Sequence, residues 1–302
     1  MPRPAISRRT VLGAVALLPL AGCSSSETPA SPPTATTPAR VEPNLRLIEL
    51  EQKYNARLGI YALATGTGRT IEYRADERFA FCSTFKGLAA AAVLHRHPMS
   101  YLDKLVTYTE ADLLKNAAIT PRFVTSGMTI RQLCDAAIRY SDGTAGNLLL
   151  RDLGGPAELT AYTRGLGDTV TRMDRIEPAI TEAVPGDPRD TTTPRAIGTD
   201  YQKIVLGDAL PAGKRAFLRD LMERNATQAG AERIRAGVPA GWRVADKTGT
   251  GDYGTLNDIG IVMPPDDSPL VLSIMSSKDT EDAPYEQGII AEAAEWLVSN
   301  LL

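Results

Sequence analysis

Strand-forming sequence lies at both ends of the globular part of this chain and is missing from its middle. Residues 58–64 and 70–73 read as strands parted by the turn Gly66-Thr67-Gly68, and residues 242–247, 257–263 and 270–276 read as strands near the other end. Between them the apolar spacing is helical, over 84–94, 129–140, 144–153, 156–164, 194–205 and 211–224. Pro43 opens a further helix whose stripe is Leu47, Leu50 and Tyr54, and residues 285–301 close the chain as another. Strands so far apart along the chain bury their apolar faces by joining one sheet. The predicted class is therefore α+β, with an antiparallel sheet built from both chain ends, flanked by terminal helices, and an inserted all-helical lobe. A cleft between sheet and lobe is the natural ligand site.

The 302 residues are 43% hydrophobic and 23% charged, enough apolar content for a substantial core. Net charge is -3, and without Arg3, Arg8 and Arg9 the 30 remaining bases face 36 acids, giving -6. Such a balance excludes a nucleic-acid binder. Three cysteines and two histidines offer no metal-ligand cluster, and His95 and His97 read as surface residues at a helix end. Neither a metal nor a cofactor is expected.

The first residues read as an address. Ser7-Arg8-Arg9-Thr10 precedes an apolar run, 11–20, that is too short to span a bilayer. The twin arginines predict a Tat-type signal peptide over 1–22. Leu20-Ala21-Gly22-Cys23 resembles a bacterial lipobox, so Cys23 is expected to carry a lipid and to hold the protein on the outer side of the cytoplasmic membrane. Residues 23–41 are a Ser/Thr/Pro/Ala tether without core-forming side chains, and 42–302 form the folded domain, expected to be a monomer.

Three short motifs carry chemistry. Ser83-x-x-Lys86 runs into the Ala-rich helix former 87–94, where i,i+3 spacing sets the amine beside the hydroxyl and lets it accept the serine's proton. Ser141-Asp142-Gly143 lies in the gap between two helices. Lys247-Thr248-Gly249-Thr250 ends a strand and opens onto Gly-rich backbone, where a lysine can draw in a carboxylate. Each alone is common; Ser-x-x-Lys arises about once by chance in a chain of this length.

In this order, Ser83-x-x-Lys86, Ser141-Asp142-Gly143 and Lys247-Thr248-Gly249 resemble the set shared by penicillin-binding proteins and serine β-lactamases. The acidic, Pro/Gly-rich stretch 175–194 resembles an Ω-loop of class A β-lactamases, with Glu177 just before Pro178 at the position of the glutamate that activates the deacylating water. Related peptidases lack that glutamate. The resemblance covers 43–301 and implies a hydrolase that opens the β-lactam amide of penicillins and cephalosporins through an acyl-enzyme on Ser83. It also implies roles for single residues. Ser83, Lys86, Ser141 and Glu177 would be catalytic, and the Ser83 and Thr250 backbone N–H groups would form the oxyanion hole. Lys247, Thr248 and Thr250 would hold the substrate carboxylate, with Gly249 beside them in the substrate-binding set, and Arg233 would support that anion site, a surface ion pair being its alternative. Asn147, Arg175 and Asp190 would give structural support, the last two as an ion pair closing the loop. Alternatives are a D-alanyl-D-alanine peptidase, against which Glu177 argues, and a penicillin-binding lipoprotein that acylates but turns over slowly.

Several positions depart from the family pattern. Gly143 replaces a substrate-binding asparagine, which predicts a roomier pocket, broader substrates and poorer inhibitor capture. Thr181 replaces an asparagine that helps Glu177 hold the water, which predicts slow deacylation. Asn116 stands where an aromatic residue often walls the entrance. Cys82 and Cys134 have no cysteine at their usual partner positions and are expected to be free, buried thiols.

Overall fold

The computed structural model describes residues 45–302; the expected signal peptide, Cys23, the tether and the opening turn at Pro43 lie outside the described residues. In chain order, α1 (Leu45–Tyr54) leads into the hairpin β1 (Arg57–Ala64) and β2 (Thr70–Tyr73), then the two-residue strand β3 (Phe79–Ala80). A 3-10 turn (Cys82–Thr84) enters α2 (Phe85–Arg96), and β4 (Leu105–Val106) and β5 (Met128–Thr129) frame an irregular stretch. The helical run is α3 (Ile130–Arg139), α4 (Gly143–Leu153) and α5 (Pro156–Gly165), then β6 (Thr191–Thr192), α6 (Pro194–Val205), α7 (Ala212–Glu223) and α8 (Gln228–Glu232). Strands β7 (Arg243–Gly251), β8 (Thr255–Met263) and β9 (Leu270–Ser277) and the closing α9 (Gly288–Leu301) complete the domain.

The main sheet has the order β2-β1-β9-β8-β7, every pair antiparallel, so strands from the two chain ends meet where β1 pairs with β9. Alternation along each strand divides its side chains between two cores. Leu58, Ile60, Leu272 and Ile274 face α1 and α9 through Leu47, Leu50, Ile290 and Leu297. Ile259, Ile261, Val271 and Met275 face the helical lobe instead. The α+β class with its inserted helical lobe is what the strand spacing required.

Helix α2 runs through the middle of that lobe. Its alanines lose no rotamer freedom and present almost no bulk, so neighbouring helices approach it from all sides, and it is buried from Phe85 to Leu94. Caps set the helix ends around it: Thr129 with Gln132 forms a capping box on α3, Asp142 caps α4 by accepting the Ala145 N–H, and Thr193 precedes Pro194 on α6.

Several expected boundaries change, three of them near the site or the chain end. The strand expected to stop at Lys247 continues to Gly251, because its ladder with β8 runs on to the pair Gly251–Thr255. The helix expected from residue 84 starts at Phe85, and Ser83 lies in the 3-10 turn before it. The closing helix starts at Gly288 instead of residue 285. The short ribbons β3–β6 and β4–β5 and helix α8 were not legible as elements. Among the described residues no helix is long and apolar enough to cross a membrane.

Candidate active site

Ser83 sits at the mouth of α2 with 7% of its surface exposed. The residue before it, Cys82, holds φ at +47°, a left-handed conformation that turns the chain sharply into the helix. Lys86, one turn on and fully buried, donates from Nζ to Ser83 Oγ at 2.8 Å and to the Ser141 carbonyl at 2.7 Å. The i,i+3 pairing read from the sequence is therefore made.

Two further segments close on that pair. Ser141, itself at φ +55°, sets its Oγ 3.0 Å from Lys247 Nζ and 3.4 Å from Lys86 Nζ. Glu177 brings its carboxylate from the Ω-loop: Ser83 Oγ donates to Oε1 at 2.9 Å, and Lys86 Nζ pairs with the same oxygen at 2.6 Å. Ser83 thus reaches Glu177 by a direct hydrogen bond. Burial pushes the Glu177 carboxyl up, but the Lys86 ammonium, the Asn116 amide and the Ser83 hydroxyl together hold it below its ordinary value.

Glu177 is also fixed through its backbone. Asn147, on α4, donates from Nδ2 to Glu177 O at 2.9 Å and accepts the Glu177 N–H on Oδ1 at 3.0 Å. The base of the loop is tied by Asp190, which takes the N–H groups of Asp174 and Arg175 on Oδ1 and pairs through Oδ2 with Arg175 Nε at 2.6 Å. Asp190 is 1% exposed, so this is a largely desolvated pair and not two surface charges. Thr181 lines the cleft, but its hydroxyl donates to the Pro178 carbonyl at 2.7 Å, a bond within its own 3-10 turn, and makes none to Glu177.

The fourth wall is β7, which has β8 as its one strand neighbour in the main sheet among the described residues. Lys247, fully buried, donates to Ser141 Oγ and to the Thr248 carbonyl. Burial and the nearby Lys86 ammonium lower its pKa to about 7. Gly249 presses on the turn that carries Ser83: a Cβ there would lie 2.7 Å from the Phe81 carbonyl oxygen, so only glycine lets the strand come this close. Arg233 is fully buried rather than surface-paired. It donates to the Gly249 and Asn257 carbonyls, to Gln287 Oε1 and, at 2.7 Å, to Thr250 Oγ1, and so fixes the hydroxyl it was expected to support.

Gly143 and Asn116 depart from expectation. The space beside Gly143 is filled, because the Asn116 side chain occupies it and donates from Nδ2 to Glu177 Oε2 at 2.5 Å. The predicted roomier pocket is therefore not formed at that point, and Asn116 is an inward-facing wall rather than a missing one. Asp142, which the sequence places only in the gap between two helices, caps α4, and its buried carboxylate also accepts the N–H groups of Ile119 and Thr120 and so anchors the Asn116 segment. Its place as an N-cap just before a helix was the available signal. Cys82 and Cys134 are free and buried, and burial raises both thiols, Cys134 to about 12.

The walls enclose a cleft of about 770 Å³ lined by Ser83, Asn116, Ser141, Thr181, Thr248 and Thr250 among others. A carbonyl entering it meets a nucleophile hydrogen-bonded to a carboxylate that can accept its proton, a second hydroxyl within reach of two lysine amines, and a hydroxyl-lined strand.

A model of the β-lactamase enzyme family matches residues 43–301. A β-lactamase of Mycobacterium tuberculosis (strain ATCC 25177 / H37Ra) is 54% identical over 294 residues, 95% of each chain. A β-lactamase of Bacillus amyloliquefaciens is 49% identical over 258 residues, 85% of this chain and 84% of the relative. Among solved structures, a halotolerant bacterial β-lactamase superposes with a TM-score of 0.83 at 49% identity, covering 85% of this chain and 98% of that one. The class A β-lactamase from Clostridium kluyveri DSM 555 does so at 0.83 and 46%, covering 85% and 97%. A cleft assembled in this way, on a fold and sequence this similar over nearly the whole domain, places the chain in the β-lactamase enzyme family, with the class A fold.

Proposed function

We propose that this protein hydrolyses β-lactams through an acyl-enzyme on Ser83, and that the constellation Ser83, Lys86, Ser141, Glu177 and Lys247 carries the reaction. The observation that supports it best is the placement of Ser83 Oγ between Lys86 Nζ at 2.8 Å and Glu177 Oε1 at 2.9 Å on the floor of the cleft. Ser83 attacks the lactam carbonyl as its proton passes to Glu177, the group its hydroxyl donates to, while the Lys86 ammonium stabilises the developing charge. The Ser83 and Thr250 N–H groups hold the oxyanion; removing one such donor typically costs about 3 kcal/mol. The C–N bond breaks as Ser141, hydrogen-bonded to Lys247, hands a proton to the leaving nitrogen; Lys86, which touches both Ser141 Oγ and Glu177 Oε1, passes a proton to Ser141 and takes the one held by Glu177, leaving Glu177 ionised. Lys247, Thr248 and Thr250, the last steadied by Arg233, hold the substrate carboxylate. Glu177, ionised again, takes a proton from the water that attacks the ester and returns it to Ser83 Oγ as the ester C–O bond breaks and the product leaves.

Turnover of a chromogenic cephalosporin by the purified domain, beside Glu177→Gln, tests this. Many turnovers by the parent and a lasting acyl adduct on Ser83 of the variant, seen by mass spectrometry, are expected. A single burst from the parent would leave a protein that traps the drug.

The proposal extends to the first residues: 1–22 direct export, Cys23 carries a lipid, 23–41 tether the catalytic domain 42–302 as a monomer at the outer face of the cytoplasmic membrane. The lipobox-like sequence ending in Cys23 supports this. Cys23→Ala is expected to move the protein from the membrane fraction to the medium; an unchanged distribution would refute the anchor.

A further inference from the structure

We propose that Asn116 is a positioning residue for Glu177, and that residue 143 is glycine because the Asn116 amide reaches Glu177 through the space a side chain there would fill. The inference rests on the reading of Glu177 as the base of deacylation. Its two carboxylate oxygens are held by different groups: Oε1 meets Lys86 Nζ at 2.6 Å and Ser83 Oγ at 2.9 Å, and Oε2 accepts the Asn116 Nδ2 hydrogen bond at 2.5 Å. Without Asn116, Oε2 keeps no other side-chain hydrogen bond among the described residues, and the carboxylate is free to turn about its Cγ–Cδ bond. A base that turns spends less time aimed at the atom it must deprotonate.

The amide arrives already oriented. Gly143 N donates to the Asn116 carbonyl at 3.2 Å, the Thr144 hydroxyl accepts the Leu114 N–H at 2.9 Å, and Asp142 accepts the Ile119 and Thr120 N–H groups at 2.8 and 2.9 Å. The segment around Asn116 and the first turn of α4 are thereby one unit, and Asn147 of the same helix grips the Glu177 backbone.

Gly143 completes the relationship. It opens α4 with a backbone outside the left-handed region, a place where alanine is the better helix former, so conformation does not call for glycine. Space does: a Cβ at 143 would lie 2.3 Å from Asn116 Oδ1 and 2.5 Å from Glu177 Oε2. Any side chain there displaces the amide or the carboxylate.

The test is steady-state hydrolysis of benzylpenicillin across pH by the intact domain and by Asn116→Ala, Asn116→Asp, Gly143→Ala and Glu177→Gln. For Asn116→Ala, kcat is expected to fall about tenfold with a smaller change in KM. Its acid limb is expected to move to higher pH, since burial of Glu177 is then opposed by Lys86 and Ser83 without the amide. Lys247 and Cys82, which also face this carboxylate, are unchanged in the variant. Asn116→Asp keeps the size and the loop but puts a second acid beside Glu177, so its limb is expected to move further. Gly143→Ala is expected to lose kcat as well. An Asn116→Ala enzyme with the parent's kcat and acid limb, or an Asn116→Asp enzyme with the parent's limb, would overturn the positioning role, and a Gly143→Ala enzyme with the parent's kcat would overturn the account of the glycine. Glu177→Gln separates the two failures. If it still turns over like the parent, the reading of Glu177 as the base is wrong; if it stalls as an acyl-enzyme while Asn116→Ala does not slow, only the present inference is.

Discussion

Asn147 holds Glu177 by the backbone and not by the carboxylate, with one amide both donating to Glu177 O at 2.9 Å and accepting from Glu177 N at 3.0 Å. A side chain that satisfies both polar groups of a buried peptide sets where the loop crosses the helix, and so where the carboxylate can reach. Asn147→Ala is expected to lower kcat on benzylpenicillin by 10- to 100-fold, on the order seen when a catalytic group moves about 1 Å, with KM changing much less. Steady-state kinetics with mass spectrometry of the reaction mixture checks this, and the acyl-enzyme should accumulate.

The low pKa of Lys247 predicts a basic limb in kcat/KM. Burial and Lys86 bring the amine to about 7, so it loses its positive charge as pH rises through that value. The charge is what attracts a carboxylate, so kcat/KM for penicillins is expected to fall above about pH 7. A β-lactam esterified at that carboxylate should show no such limb, and Lys247→Arg should move it to higher pH.

Asp200, on α6, makes stability fall with rising pH. Buried and facing the Asp168 carboxyl, its pKa is raised to about 9. Between the ordinary carboxylate value of roughly 4 and the folded value, the unfolded chain has lost a proton that the folded chain keeps, so each step up in pH favours unfolding. Asp200→Asn, which cannot ionise, is expected to raise the melting temperature, and by more at pH 8 than at pH 5. Thermal denaturation at both pH values decides it; an equal gain would count against the raised pKa of Asp200.

Asp190→Ala removes the carboxylate that takes two N–H groups and the Arg175 guanidinium at the base of the Ω-loop. Breaking one partner of a buried pair costs about 3 kcal/mol. For a domain of this size that corresponds to a drop in melting temperature on the order of 6–12 °C. Activity should fall too, because the same loop carries Glu177. Circular dichroism melts together with benzylpenicillin turnover report both.

Much of the site was legible because its residues lie in short motifs tied to local structure. Ser83 and Lys86 meet through helical spacing. Other parts were not. Gly249 and Gly251 read as the end of a strand, yet β7 continues through them because β8 supplies the partners for the ladder. Arg233 could be placed near the anion site only by resemblance, since its local sequence would also suit a surface ion pair; its enclosure beneath β7 and α9 is what makes it a brace for Thr250. Asn116 read as a lost wall, since its neighbours along the chain say nothing about a carboxylate 61 residues away.

By itself the sequence determined the order of strands and helices, the serine–lysine pair and the acidic loop, since these follow from periodicity, turn chemistry and spacing along the chain. Tertiary structure alone decided what each polar group touches: that Lys247 is buried beside Lys86, that Asp190 is enclosed, and that Gly143 leaves a gap which Asn116 fills. Local interactions act over a few residues and can be read in order. Burial and hydrogen-bond partners depend on which distant segments share one cleft, and they exist only once the chain has closed on itself.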